Sequence, residues 1–205
     1  MIELEGLPEL VDPVLIAAFE GWNDAGEASS GAIAHLEAEW KATELASFDP
    51  EDYYDFQVTR PIVEVGEGLT RSITWPTTRL YVARPPGADR DVILLRGIEP
   101  NMRWRSFCAE IIELCQKLGV ELAVLLGALL NDSPHTRPVP IVGSASDENL
   151  ARAINLELSR YEGRPASSAC CSRPSARRTS PRSRCGPRCR TTWPSRPAPR
   201  RRWRC

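Results

Sequence analysis

Histidine is nearly missing: His35 and His135 are the only two in 205 residues. So small a stock cannot build an ordinary zinc site, and no paired Cys or His motif supplies the remaining ligands. No metal and no cofactor are therefore expected. Cysteine is scarce where a core would form. Five of the seven (Cys170, Cys171, Cys185, Cys189 and Cys205) fall in the last 42 residues. The Cys185–Cys189 spacing resembles a ligand pair but has no second pair to complete it. Cys108 and Cys115 sit seven apart on one face of a predicted helix and read as small core residues. No apolar run approaches the roughly 20 residues that cross a bilayer, and no secretory leader opens the chain. A cytoplasmic, reduced protein with no membrane partner is the expectation. A Gly-x-Ser-x-Gly elbow, a P-loop and a dinucleotide glycine fingerprint are also missing. Gly143-Ser144-Ala145-Ser146 resembles the start of a phosphate loop, but a helix cap explains it equally well.

Charge divides the chain in two. All 27 Asp and Glu lie at or before Glu162, against 13 Lys and Arg there, so residues 1–163 carry a net −14. That balance argues against nucleic acid or an anionic surface as partner. Residues 164–205 contain no Leu, Ile, Val, Phe, Asp, Glu or Lys and carry 13 arginines. Such a composition cannot bury enough apolar area to offset its ordering entropy, so disorder is expected. An arginine-rich RNA-binding tail is one reading, a natural disordered tail another, and a shifted reading frame a third. The third is preferred on a codon test. Ala166 to Ser172, back-translated with GC-rich codons and read from the third base, becomes Leu-Val-Gly-Val-Leu-Leu. A chain cut off from such a run would leave apolar surface bare and dissolve poorly.

The acidic part reads as alternating strands and helices. Val14 to Phe19 is a buried strand. Ala25 to Trp40 is a helix capped by Asn23 or Asp24. Thr43 to Phe48 is a second strand, and Asp49 to Asp55 an acidic, aromatic connection. Ile62 to Val65 and Thr70 to Trp75 flank Gly66-Glu67-Gly68 as a hairpin. Arg79 to Ala83 would extend that hairpin's sheet, ended by Pro85-Pro86-Gly87. Val92 to Leu95 reads as a strand buried on both faces. Trp104 to Leu118 is a helix stopped by Gly119. Leu122 to Leu130 is another apolar strand, with a short one at Ile141 to Val142. Ser146 caps a last helix, with Leu150, Ile154, Leu158 and Tyr161 along one face. The order predicts an α/β fold, a mainly parallel sheet flanked by helices with a β-hairpin insertion.

Three polar clusters each follow an apolar strand. They are Glu20-Gly21-Trp22-Asn23-Asp24, then Gly97 to Trp104, then Asn131 to Pro138. In a parallel sheet such loops share the carboxyl edge, where ligands bind. A pocket is therefore expected from Glu20, Trp22, Asn23, Asp24, Glu99, Arg103, His135 and Arg137. Plainer roles compete: Asn23 and Asp24 as caps, the glutamates and arginines as ion pairs, Trp22 and Trp104 as rim packing. His135, in a loop, is a better candidate than His35 in mid-helix. No catalytic residue stands out, and whether the chain is an enzyme stays open, the balance leaning towards not.

"FEGWNDAG" (Phe19 to Gly26), "DFQVTRP" (Asp55 to Pro61), "GIEPNMRW" (Gly97 to Trp104) and "PHTRPVP" (Pro134 to Pro140) resemble the actinobacterial branch of the PAC2 family, named for proteasome assembly chaperone 2. The likeness spans residues 1–163. It implies a core like that of purine nucleoside phosphorylases and the phosphorylase/hydrolase fold, a covering C-terminal region, and assembly of several copies, three by family likeness. By that analogy Val65, Gly66, Gly68 and Ile73 mark the oligomerisation hairpin. Relatives that dock on proteasome rings end in a hydrophobic–tyrosine–any motif. This chain ends Trp203-Arg204-Cys205 without it. Two functions follow: a chaperone-like protein-binding module acting on proteasome subunits, or a small-molecule binder or enzyme of phosphorylase-, hydrolase- or ligase-like kind using the pocket.

Overall fold

The computed structural model describes residues 2–4, 8–66, 70–132, 134–145, 148–153 and 157–158, with residues 2–4, 150 and 157–158 described by backbone alone. The chain divides into one unit of Met1–Pro174 and another of Ser175–Cys205. The second unit and the expected boundary at 163/164 lie outside the described residues. In chain order the elements are β1 (Ile2–Leu4), β2 (Val14–Glu20), α1 (Ala28–Glu39), β3 (Thr43–Phe48), α2 (Pro50–Tyr53), β4 (Ile62–Val65), β5 (Arg71–Thr74), β6 (Arg79–Ala83), β7 (Val92–Ile98), α3 (Trp104–Lys117), β8 (Leu122–Leu126), β9 (Ser144–Ala145), α4 (Glu148–Ala153) and β10 (Glu157–Leu158).

Six strands form the central sheet in the order β1-β3-β6-β7-β2-β8. β7, β2 and β8 run parallel, with Glu20 opposite Ile98 and Ala18 opposite Leu126. β6, β3 and β1 add to the other side antiparallel. The class is α/β, as expected, with a mixed sheet whose parallel half holds the three apolar strands. β2 and β7 lack alternation because both their faces are covered, whereas β8 at the edge is only partly buried. Ile33 of α1, fully buried, packs with Ala18, Val92 and Leu94 on one face. Phe107, Ile111 and Leu114 of α3 pack with Leu15, Ala17, Phe19, Ile93 and Leu95 on the other. Phe19, Phe48 and Tyr53 surround Phe107 at ring-centroid distances of 5.9, 4.9 and 5.2 Å, mostly edge-on, as aromatic quadrupoles favour.

Several expectations need correcting. β6 does not extend the hairpin's sheet: it lies between β3 and β7. Its register sets Ala83 against Val92 and Arg79 against Arg96. Pro85-Pro86-Gly87 therefore reverses the chain instead of ending the sheet, because Leu80 and Ala83 gain burial by pairing with β7. Residues 141–142 form no strand; both are almost fully exposed. The short strand is Ser144–Ala145, paired in parallel with Glu157–Leu158. Leu158 thus lies on β10 and not on the last helix, which covers only Glu148–Ala153. Six residues are too few to hold a helix by themselves, so pairing with β9 competes well with continuation. Ser146, Ile154 and Tyr161 lie outside the described residues.

Candidate functional site

α1 and α3 leave the neighbouring strands β2 and β7 towards opposite faces of the sheet. In open α/β folds the usual ligand position is the crevice at the carboxyl ends of such a strand pair. Its floor is backbone: the Glu99 N–H donates to the Glu20 carbonyl at 3.0 Å. Gly21 has φ +138, and a Cβ there would lie 3.2 Å from Glu99 Oε2. Glycine is what lets the Glu99 side chain lie against the first loop. Glu20 and Glu99 thus share one mouth.

Glu20 is half-exposed, and its carboxyl is raised above the ordinary 4.5, chiefly by burial; Arg96 opposes the rise, while Asp24 and Glu27 add to it. Arg96 makes a fork with Glu37 of α1, Nε–Oε1 3.0 Å and Nη2–Oε2 2.8 Å, and reaches Glu20 only at 4.0 Å. A carboxyl raised in the fold loses stability once pH climbs past its unfolded value, because ionising costs more there than in the open chain. Glu20→Gln is therefore expected to raise the melting temperature slightly at pH 7 and to leave it unchanged at pH 4. Paired thermal scans at the two pH values measure this.

Asp24 does a different job. It is buried, and its Oδ1 accepts from the Ser29 N–H at 2.7 Å and the Ser29 hydroxyl at 2.5 Å. Its Oδ2 accepts from the Ser30 hydroxyl at 2.5 Å, and the Ser30 N–H adds contacts at 3.3 and 3.4 Å. The carboxylate thereby serves the first turn of α1 from outside the helix. Glu27, at the position where a cap would sit, has φ +55 and gives no side-chain bond. Burial pushes the Asp24 carboxyl up, but the Ser29 and Ser30 hydrogen bonds together hold it below the ordinary 3.8. Asn23 packs over Gly127, where a Cβ would meet its Nδ2 at 2.3 Å. Its carbonyl accepts from the Ala128 N–H at 2.9 Å, and the Ala25 N–H donates to the Ala128 carbonyl at 3.0 Å. The first loop is stitched to the exit of β8. Trp22 stands out of it, 75% exposed.

The second loop is anchored by residues that reading the sequence for charge alone passes over. The Tyr53 carbonyl accepts from the N–H groups of Asn101 and Met102 at 3.0 and 3.2 Å. The Tyr53 hydroxyl donates to Glu110 Oε1 at 2.6 Å. Asn101 Oδ1 accepts from the Asp55 N–H and the Thr59 hydroxyl at 2.9 and 3.0 Å. Arg103, left-handed at φ +53, pairs with Asp52 and lies 5.6 Å over the Tyr53 ring. The signal for Tyr53 and Asp55 lay in the stretch read as a mere connection. The signal for Arg96 was a lone charge inside an apolar strand.

Glu20 ends β2, and Trp22, Asn23, Asp24, Glu99 and Arg103 fall on the two adjoining loops that follow β2 and β7. His135 and Arg137 sit in an exposed stretch, and neither side chain has a hydrogen bond or ion pair among the described residues; the Arg137 N–H closes a turn onto the Pro134 carbonyl. No group of three or more His, Cys, Asp or Glu suited to a metal occurs among the described residues. No helix there is long and apolar enough to cross a membrane.

Comparison with known proteins fits this geometry. The PAC2 family pattern matches residues 18–171. A PAC2 family protein from Streptomyces avermitilis is 58% identical, with a TM-score of 0.73 over 78% of this chain and 68% of that one. A proteasome-assembly chaperone homologue from Mycobacterium tuberculosis is 51% identical, with a TM-score of 0.70 over 77% of this chain and 67% of that one. An archaeal homologue of proteasome-assembly chaperone from Pyrococcus furiosus, 17% identical, shares the fold at a TM-score of 0.52 over 84% and 69% of the two chains. No curated protein matched. The matched region contains both loops of the crevice and the hairpin: the chain belongs to the PAC2 family.

Proposed function

We propose that this chain is a protein-binding module of the proteasome-assembly-chaperone kind, acting on proteasome subunits as an oligomer of its own copies. The carrying observation is the β4–β5 hairpin. Its register sets Val63 opposite Ile73 and Val65 opposite Arg71, so Val63, Val65 and Ile73 share one face. All three are more than half exposed. The base is tied by a Phe56–Trp75 ring contact at 4.8 Å. A two-stranded ribbon with a bare apolar face is marginal in water and gains stability when a partner covers it. Gly66 stands at the turn, its N–H bonded to the Thr70 carbonyl at 2.9 Å; Gly68 lies outside the described residues. The 51% identity to a chaperone homologue supports the same reading. The charged residues of the crevice are also largely spent on the chain itself: Asp24 on α1, Arg103 on Asp52, Arg96 on Glu37.

The double variant Val63→Ser, Ile73→Ser is expected to keep its fold and fall to monomer mass in light scattering. Affinity capture from cell extract, followed by mass spectrometry, tests the partner. Enrichment of proteasome α or β subunits by the unaltered hairpin, and its loss with the double variant, supports the reading. Capture of neither subunit by a well-folded oligomer overturns it and turns attention to a small ligand at Glu20, Trp22, Asn23, Glu99 and Arg103.

A further inference from the structure

We draw no further inference here: the strongest candidate, the exposed apolar stretch after β8 that holds Leu130, Ile141 and Val142, carries nothing because nothing among the described residues shows what covers it.

Discussion

Asp24→Ala is expected to lower stability by about 2–4 kcal/mol, the sum of a lost helix cap and of buried donors left without an acceptor. In a domain of this size that is a fall of about 5–15 °C in melting temperature. The change strips the acceptor from both serine hydroxyls and both N–H groups at the start of α1. Asp24→Asn is expected to lose less, because the amide oxygen still serves Ser29, but its NH2 cannot accept from Ser30. The effect depends on pH in a fixed direction. The carboxyl is held below 3.8 in the fold, so its contribution is complete above about pH 4 and fades as pH falls through the folded value. Thermal or denaturant unfolding of wild type and Asp24→Ala from pH 3 to 7 measures this. The gap should close in acid; a gap independent of pH would mean that the charge is not what matters.

Gly97→Ala is expected to cost about 3 kcal/mol or more, the upper end for forcing a methyl group into a packed interior. Its Cβ would sit 2.2 Å from Thr78 Oγ1 and 2.4 Å from Thr78 Cα. Thr78 cannot retreat. It is fully buried, its carbonyl accepts from the Phe48 N–H at 3.0 Å, and its hydroxyl meets the Tyr54 hydroxyl at 2.8 Å. The Tyr54 hydroxyl in turn donates to the Ile98 carbonyl at 2.8 Å, so Thr78 must be the donor in their shared bond. Burial, the main cause, pushes the Tyr54 hydroxyl up to about 12, which keeps it a donor at any working pH. The clash lies one turn of strand from Glu99, so the variant should disturb the crevice as well as the fold. Chemical denaturation gives the first effect. A loss under 1 kcal/mol would show that β6 and β7 separate easily at this point.

Gly97 also shows what the sequence could and could not disclose. It was legible as the first residue of a polar cluster, but its need for glycine comes from Thr78, which a separate strand brings against it. β2, β7 and their helices were readable because a strand buried on both faces has no alternation, and the helix α3 keeps Phe107, Ile111 and Leu114 at helical spacing. β6 was misassigned because the partner of an antiparallel strand is chosen by burial, not by nearness along the chain. The crevice loops could be foreseen for the same reason as the fold: polar residues stopped apolar runs. Their anchors could not. Tyr53 and Asn101 act through a backbone carbonyl and a side-chain oxygen on elements far apart in sequence, and Asp24 caps its helix from five and six residues away. His135 and Arg137 carried a functional look through residue type alone, and the exposed stretch that holds them gives neither side chain a partner among the described residues.

On the proposed reading, the exposed hairpin lets this chain act on proteasome subunits as an assembly chaperone. It is tested most directly by reconstitution. Purified proteasome α and β subunits from the same organism are mixed with and without the protein, and ring assembly is followed over time by native mass. The account predicts a transient complex containing the protein and α or β subunits, with faster formation of complete particles, and predicts neither with the Val63→Ser, Ile73→Ser variant. An unchanged time course with no complex, from a protein that is folded and oligomeric, would contradict it.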